Sequence, residues 1–212
     1  MKETRRMSAT AAPAATDRSD FRTVTVGGAL VGLVTGVAVV LVVAASRTLA
    51  AGVALGGVQA LVVLAAGVVV AFFPAQWTAA RGTEGIAGAA AVGLVGTVVF
   101  SAIDIVLLRP FKAYPWTWDA IGGGSSWWYL PVWWMLGTFL AWMGGIVTAR
   151  QAARGAGEAT LGRRTLPPVA GAVVVAAIAR LAGLAVSLPA ATGGAFTIVL
   201  AALALVALTR RG

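Results

Sequence analysis

Residues 24–45 read VTVGGALVGLVTGVAVVLVVAA, a stretch without a single charged side chain. At a rise of about 1.5 Å per residue, a helix of this length crosses the hydrocarbon core of a bilayer, which is roughly 30 Å thick. The stretch is longer than the apolar region of a cleavable signal peptide, although Ala44-Ala45-Ser46 resembles a small-residue cleavage site. We therefore predict an uncleaved first transmembrane helix.

The composition of the whole chain also indicates a membrane protein. Of its 212 residues, 59% are hydrophobic and only 11% are charged, and the mean hydropathy is +0.91. These values exclude a water-soluble domain of ordinary composition. The 27 glycines suit helices that approach one another closely in lipid.

Charged residues and prolines divide the rest of the chain, since both are costly inside lipid or inside a helix. We predict an all-α, polytopic transmembrane helix bundle of six spans, at about 24–45, 49–73, 85–108, 127–148, 167–187 and 190–208. The breaks that separate these spans include Pro74, Pro167-Pro168 and Pro189. A tight hairpin is predicted between the last two spans, and the alternative is one kinked helix of about 63 Å.

The basic residues predict the orientation of the bundle. With the N-terminus inside, twelve Lys and Arg residues lie on the cytoplasmic side and three on the outer side. We expect residues 1–23 to be a disordered, basic cytoplasmic tail and residues 24–212 to be a single six-helix domain with an aromatic-rich outer loop at 109–126. Both termini are then cytoplasmic, in a multi-pass protein of the cytoplasmic (cell) membrane. The net charge of +9 is explained by this topology, and no nucleic-acid partner is predicted.

The residue types that the chain lacks argue against catalysis. It contains no Cys and no His, so thiolate nucleophiles, imidazole bases and the usual ligands of zinc, haem and iron–sulfur clusters are missing. A membrane enzyme acting on lipids would need paired acid–base groups, whereas Glu84, Asp104 and Asp119 fall at different depths and on different sides. We expect no catalytic residues, no metal and no cofactor.

Two charged residues fall within predicted spans, Asp104 in the third and Arg180 in the fifth. Both are expected in the outer half of the bilayer, where the two side chains meet if their helices adjoin. A charge at this depth costs at least about 2.5–3.5 kcal/mol, so Arg180 should face the bundle interior. The pair is either a ligand or proton site or a structural ion pair that fixes helix register.

Several polar residues are candidates for a pocket around this pair. Thr97 and Ser101 share a helix face with Asp104, because steps of four and three residues repeat on one side of a helix. The full set of candidate pocket residues is Gln59, Thr97, Ser101, Ser187 and Thr197. The alternative is that each hydroxyl bonds only to its own helix backbone.

Most of the aromatic residues gather in the outer loop and the fourth span. Candidate contacts to lipid or to a partner are Trp116, Trp118, Trp127, Trp128, Trp133, Trp134 and Trp142. An aromatic belt at the membrane interface explains the first four. It explains Trp133, Trp134 and Trp142 less well, because they lie progressively deeper in the span.

The sequence therefore favours a non-catalytic accessory or assembly subunit, which contacts lipid, pigment or partner helices through its Trp-rich fourth span. The alternative is a small transporter or ligand-binding membrane component with a polar site around Arg180 and Asp104. The expected partners are membrane lipids and either a membrane protein or a lipophilic ligand. Glycine faces such as Gly28, Gly32 and Gly36 are expected to serve helix packing within the chain.

Overall fold

Six helices of membrane-spanning length and hydropathy form the described part of this computed structural model, which covers residues 17–110, 129–154 and 161–209. They are α1 (Phe21–Thr48), α2 (Val53–Trp77), α3 (Thr83–Ile103), α4 (Tyr129–Ala153), α5 (Leu161–Leu181) and α6 (Leu188–Thr209). A π-helical turn, Asp104–Leu108, extends α3. The prediction of an all-α bundle with six spans is confirmed.

Contacts between glycines and neighbouring helices fix the direction of each helix. Gly93 lies against Ala141, and Gly145 lies against Ala89, so α3 and α4 are antiparallel. Gly28 lies against Val95, and Gly32 lies against Val99, so α1 and α3 are parallel. We call the end of the bundle where α1, α3 and α5 begin the N-terminal end, and the opposite end the far end.

Helix α2 contacts each of the other five helices and packs mainly against α1, α3, α4 and α6. Fully buried side chains at the middle of the core come from several helices, among them Val31, Phe72, Val92, Phe196 and Leu200. Helix α5 is peripheral, because it packs mainly against α6 and makes a much smaller contact with α2. The bundle is therefore a core of five helices with α5 on its edge.

The closest helix contacts are made through glycine. A methyl group at Gly32 would lie 2.7 Å from a Val99 carbon, and one at Gly96 would lie 2.6 Å from Val31. A methyl group at Gly144 of α4 would overlap the backbone carbonyl of Ala71 in α2. Without side chains at these positions the backbones come into direct contact, as expected for packing within the chain.

Two of the predicted helix boundaries are wrong because prolines lie inside helices. Pro74 lies within α2, which continues to Trp77. Pro167 and Pro168 lie within α5, which begins six residues earlier than predicted, at Leu161. A proline leaves a carbonyl one turn back without its usual donor, but transmembrane helices tolerate this where neighbours or water satisfy that group.

The end of α5 is set by glycine rather than by proline. Gly183 has a φ of 73°; its N–H donates to the Arg180 carbonyl at 3.1 Å, and the Leu184 N–H donates to the Ala179 carbonyl at 3.1 Å. This pair of bonds around a left-handed glycine is the Schellman motif, which closes a helix. The helix therefore ends at Leu181, six residues before the predicted end.

The predicted hairpin between the last two spans is confirmed. Six residues separate the end of α5 from Leu188, where α6 begins. Pro189 lies in the first turn of α6, a position at which a missing N–H costs nothing and the fixed φ suits a helix. The alternative of one long kinked helix is wrong.

The N-terminal tail is shorter than predicted. Helix α1 begins at Phe21, where the Asp20 side chain accepts a hydrogen bond from the Thr23 N–H at 3.0 Å. Residues 17–20 precede the helix and contact the start of α3, and the remaining predicted tail, residues 1–16, lies outside the described residues. Most of the predicted outer loop, residues 111–126, also lies outside them.

Candidate functional site

Thr97, Ser101 and Asp104 form a polar face of α3, and all three side chains are buried. Thr97 and Ser101 contact α4. The Ser101 hydroxyl donates to the Thr97 carbonyl at 2.7 Å, and the Thr97 hydroxyl donates to the Leu94 carbonyl at 2.9 Å. Both hydroxyls therefore donate to the backbone of their own helix, in agreement with the predicted alternative to a polar pocket. The Trp134 indole N–H donates to the Ser101 hydroxyl at 3.3 Å and joins α4 to this face.

The Asp104 side chain is completely buried and pairs with Arg109. The Arg109 Nε donates to the Asp104 Oδ2 at 3.2 Å, and the Arg109 backbone N–H donates to the Asp104 carbonyl at 2.9 Å. In an α-helix, residues five apart point about 140° away from each other. The wider π-helical turn reduces this offset, because its hydrogen bonds join residues five apart. The local backbone thus brings the guanidinium over the carboxylate.

The predicted pairing of Asp104 with Arg180 is not formed. Arg180 is exposed in the last turn of α5, and its Nη1 donates to the Val186 carbonyl at 3.3 Å. Arg180 was predicted well inside a span, but Gly183 ends α5 and leaves Arg180 in the last turn of the helix. A cation in the last turn is favoured by the helix dipole and by the free carbonyls there. The helix end therefore explains the position of Arg180, and no buried carboxylate partner is needed to explain it.

The other residues of the predicted pocket bond to separate partners. The Gln59 Nε2 donates to the Ser46 hydroxyl at 2.8 Å and joins α2 to α1 at the far end. The Thr197 hydroxyl donates to the Gly193 carbonyl of its own helix at 2.9 Å. Ser187 is exposed in the hairpin between α5 and α6. Of the predicted pocket residues, Thr97 and Ser101 on the polar face of α3 are buried.

Of the three deep tryptophans of α4, Trp133 and Trp134 both contact α3, whereas Trp142 is exposed. Trp134 faces α3, and Trp133 packs edge-on against Phe100 with ring centroids 6.4 Å apart. Trp142 is 48% exposed, although it lies in the middle of the span formed by residues 131–153. The other predicted contacts, Trp116, Trp118, Trp127 and Trp128, lie outside the described residues.

Trp142 belongs to a ridge on α4 that comprises the exposed residues Val132, Met135 and Trp142 and the half-buried Phe139, which also packs against the core. Steps of three, four and three residues place these side chains on one face of the helix. Met135 is 72% exposed, whereas Ile146, one turn beyond Trp142, is buried. The α4 ridge therefore runs from the far end to the middle of the span, where the rest of the bundle covers the helix.

A polar corner at the N-terminal end was not predicted from the sequence. The Asp17 carboxylate accepts hydrogen bonds at 2.9 Å from three backbone N–H groups, those of Arg81, Gly82 and Gly85. Burial raises the pKa of Asp17, but these bonds and the charge of Arg81 outweigh it, so the pKa lies below the usual value of 3.8. Asp17 thus caps the beginning of α3 from another part of the chain.

Further contacts hold the same segment against the corner. The Arg18 N–H donates to the Thr78 carbonyl at 2.8 Å, and the Ser19 hydroxyl donates to the Glu84 carboxylate at 2.6 Å. A methyl group at Gly88 would lie 3.2 Å from Ser19, so glycine makes room for the segment. Glycine recurs at positions 82, 85 and 88, where this segment contacts the bundle. This spacing is the feature of the sequence that could have indicated the contact.

Comparison of the chain with known protein families, with curated proteins and with solved structures gave no match in any of the three.

Proposed function

We propose that this multi-pass membrane protein is a non-catalytic accessory subunit, and that the α4 ridge contacts a helix of a partner membrane protein. The exposure of Trp142 in the middle of its span carries this proposal. Tryptophan is enriched at membrane interfaces, where its N–H reaches water or lipid headgroups. Trp142 lies half a span away from either interface.

The indole N–H of Trp142 supports a protein partner rather than lipid chains. Within the described residues no hydrogen bond satisfies this donor. Leaving such a group in an apolar medium costs about 1–3 kcal/mol, and acyl chains contain no acceptor. A partner helix with Ser, Thr, Asn or Gln at the middle of its own span would supply one.

The shape of the ridge also supports a crossing helix. Three of its four side chains are exposed, and from Val132 to Trp142 the ridge extends over about 15 Å of helix, or nearly three turns. Helices that cross at an angle contact one another over a few turns and then diverge. The closure of the bundle at Ile146 agrees with a partner that leans away at this depth.

Site-specific photo-crosslinking in native membranes tests this proposal. A benzophenone amino acid placed at Met135 or Trp142 should give one discrete adduct with another membrane protein. The same amino acid at Ile198, which is 64% exposed on α6, serves as the lipid-facing control. Trp142→Phe, which keeps a ring but removes the N–H, should lower the recovery of the complex about tenfold, whereas Ile198→Ala should not.

Two results would contradict the proposal. One is an identical adduct pattern at positions 142 and 198, which would mean that both face only lipid. The other is a protein that migrates alone in mild detergent and recovers equally well with and without the Trp142 indole N–H.

A further inference from the structure

An apolar groove opens between α1 and the end of α3, in the half of the bundle at the far end. It has a volume of about 290 Å³ and is lined by Leu33, Gly36, Val37 and Leu41 of α1 and by Ile103 and Leu107 of the α3 extension. Because these residues carry no polar side-chain group, the groove offers only van der Waals contact to whatever occupies it.

The groove exists because α1 and α3 diverge. Near the middle of the membrane the two helices touch, since a methyl group at Gly32 would lie 2.8 Å from the Gly96 carbonyl. One turn further, a methyl group at Gly36 would lie 3.5 Å from Ile103, at ordinary contact distance. The π-helical turn then carries Leu107 along the rim of the opening.

The length of the groove matches a single leaflet. From Leu33 to Leu41 the helix rises about 12 Å, whereas half of the bilayer core is about 15 Å thick. A transmembrane partner helix would need a surface in both leaflets, but α1 and α3 close the other half at Gly28 and Gly32. An acyl chain, which ends at the middle of the bilayer, fits this geometry.

Two guanidinium groups lie at the open end. Arg47 is exposed in the last turn of α1, about 9 Å above Leu41 along the helix. Arg109 directly follows the groove residue Leu108, and Asp104 holds its side chain, which remains 29% exposed. A phosphodiester above an acyl chain would lie at the height of these groups. We propose that the groove binds one anionic phospholipid, with its acyl chain along Gly36 and its phosphate beside Arg47 and Arg109.

Native mass spectrometry of the detergent-purified full chain tests this site. The protein is titrated with phosphatidylglycerol and with phosphatidylcholine of identical acyl chains, and we expect at least fivefold stronger retention of the anionic lipid. Gly36→Leu should fill the groove and lower that retention at least fivefold. The matched control is Gly57→Leu on α2, where a new Cβ atom meets no atom within 4 Å; it should bind as the unaltered protein does.

A second variant separates the headgroup from the acyl chain. Arg47→Gln lies at an exposed helix end, so the fold should persist, and the preference for phosphatidylglycerol should fall at least threefold. Equal retention of the two lipids by the unaltered protein would overturn the proposal. Undiminished retention in Gly36→Leu would overturn it as well.

Discussion

Ala79 has a φ of 51°, a left-handed conformation that alanine adopts at a cost because of its Cβ atom. Its N–H donates to the Gln76 carbonyl at 3.1 Å, and the Ala80 N–H donates to the Ala75 carbonyl at 2.8 Å. This is the same closing motif that Gly183 forms at the end of α5. At the end of α2, however, the left-handed position is occupied by alanine.

We expect Ala79→Gly to stabilise the protein by about 0.5–1 kcal/mol. The gain is the relief of left-handed strain, reduced by the greater chain entropy that glycine has in the unfolded state. The measurement is the free energy of unfolding in SDS and dodecyl maltoside micelles. Ala87→Gly, in the interior of α3, should instead lose about 1 kcal/mol, and a loss of that kind at Ala79 would contradict the prediction.

The Asp17 cap predicts a dependence of stability on acid pH. Since its pKa is lowered in the folded state, its stabilising contribution is complete above the usual value of 3.8 and is lost as the pH falls through the lowered value. We expect the free energy of unfolding to fall from about pH 5 to about pH 2. The fall should be smaller in Asp17→Asn; equal falls in both proteins would mean that other carboxyl groups govern it.

Among the elements, the π-helical turn at the end of α3 depends on one buried ion pair. Removing Arg109 deprives a fully buried carboxylate of this guanidinium, whereas removing the charge of Asp104 affects a cation that is still partly exposed. We expect Arg109→Gln to cost about 3 kcal/mol and Asp104→Asn about 1–2 kcal/mol. Unfolding of both variants and of the double variant measures the coupling, and the double variant should recover much of the Arg109→Gln loss.

The packing of α4 against α2 depends on Gly144. A side chain there would overlap the Ala71 carbonyl, and neither backbone has room to move within the core. We expect Gly144→Ala to lower the free energy of unfolding by about 3 kcal/mol. Gly57→Ala, which meets no atom within 4 Å, should be neutral or raise it by up to about 1 kcal/mol. Similar values for the two variants would refute a direct backbone contact.

The existence of each helix was predictable from the sequence, because hydropathy is summed over some twenty residues and small errors cancel. The ends of α5 were not predicted correctly. Pro167 was interpreted as a helix boundary, although transmembrane helices tolerate proline, and Gly183 was not interpreted as the helix stop that it is. The partner of Asp104 depends on a π-helical turn that residue spacing on an α-helix does not reveal. Asp17 was missed because its partners are backbone N–H groups, the first of them 64 positions away in sequence.

At the scale of the whole molecule, the six spans found in the described residues predict that both ends of the chain lie on one side of the membrane. The chain contains no cysteine, so single cysteines can be introduced into an otherwise unreactive background. We expect Ser187→Cys to react with an impermeant maleimide in intact cells. Arg81→Cys should react only after the membrane is permeabilised, and the reverse pattern would contradict the predicted orientation.

The peripheral position of α5 bears on how the protein is made. Helices α1 to α4 pack against one another without any contribution from the last two, and α6 then covers the remaining face of α2 and α4. Because translation proceeds from the N-terminus, α1 to α4 emerge before α5 and α6. We expect the α5–α6 hairpin to insert last and to complete the core, since Phe196 and Leu200 of α6 belong to the same buried cluster as Phe72 of α2.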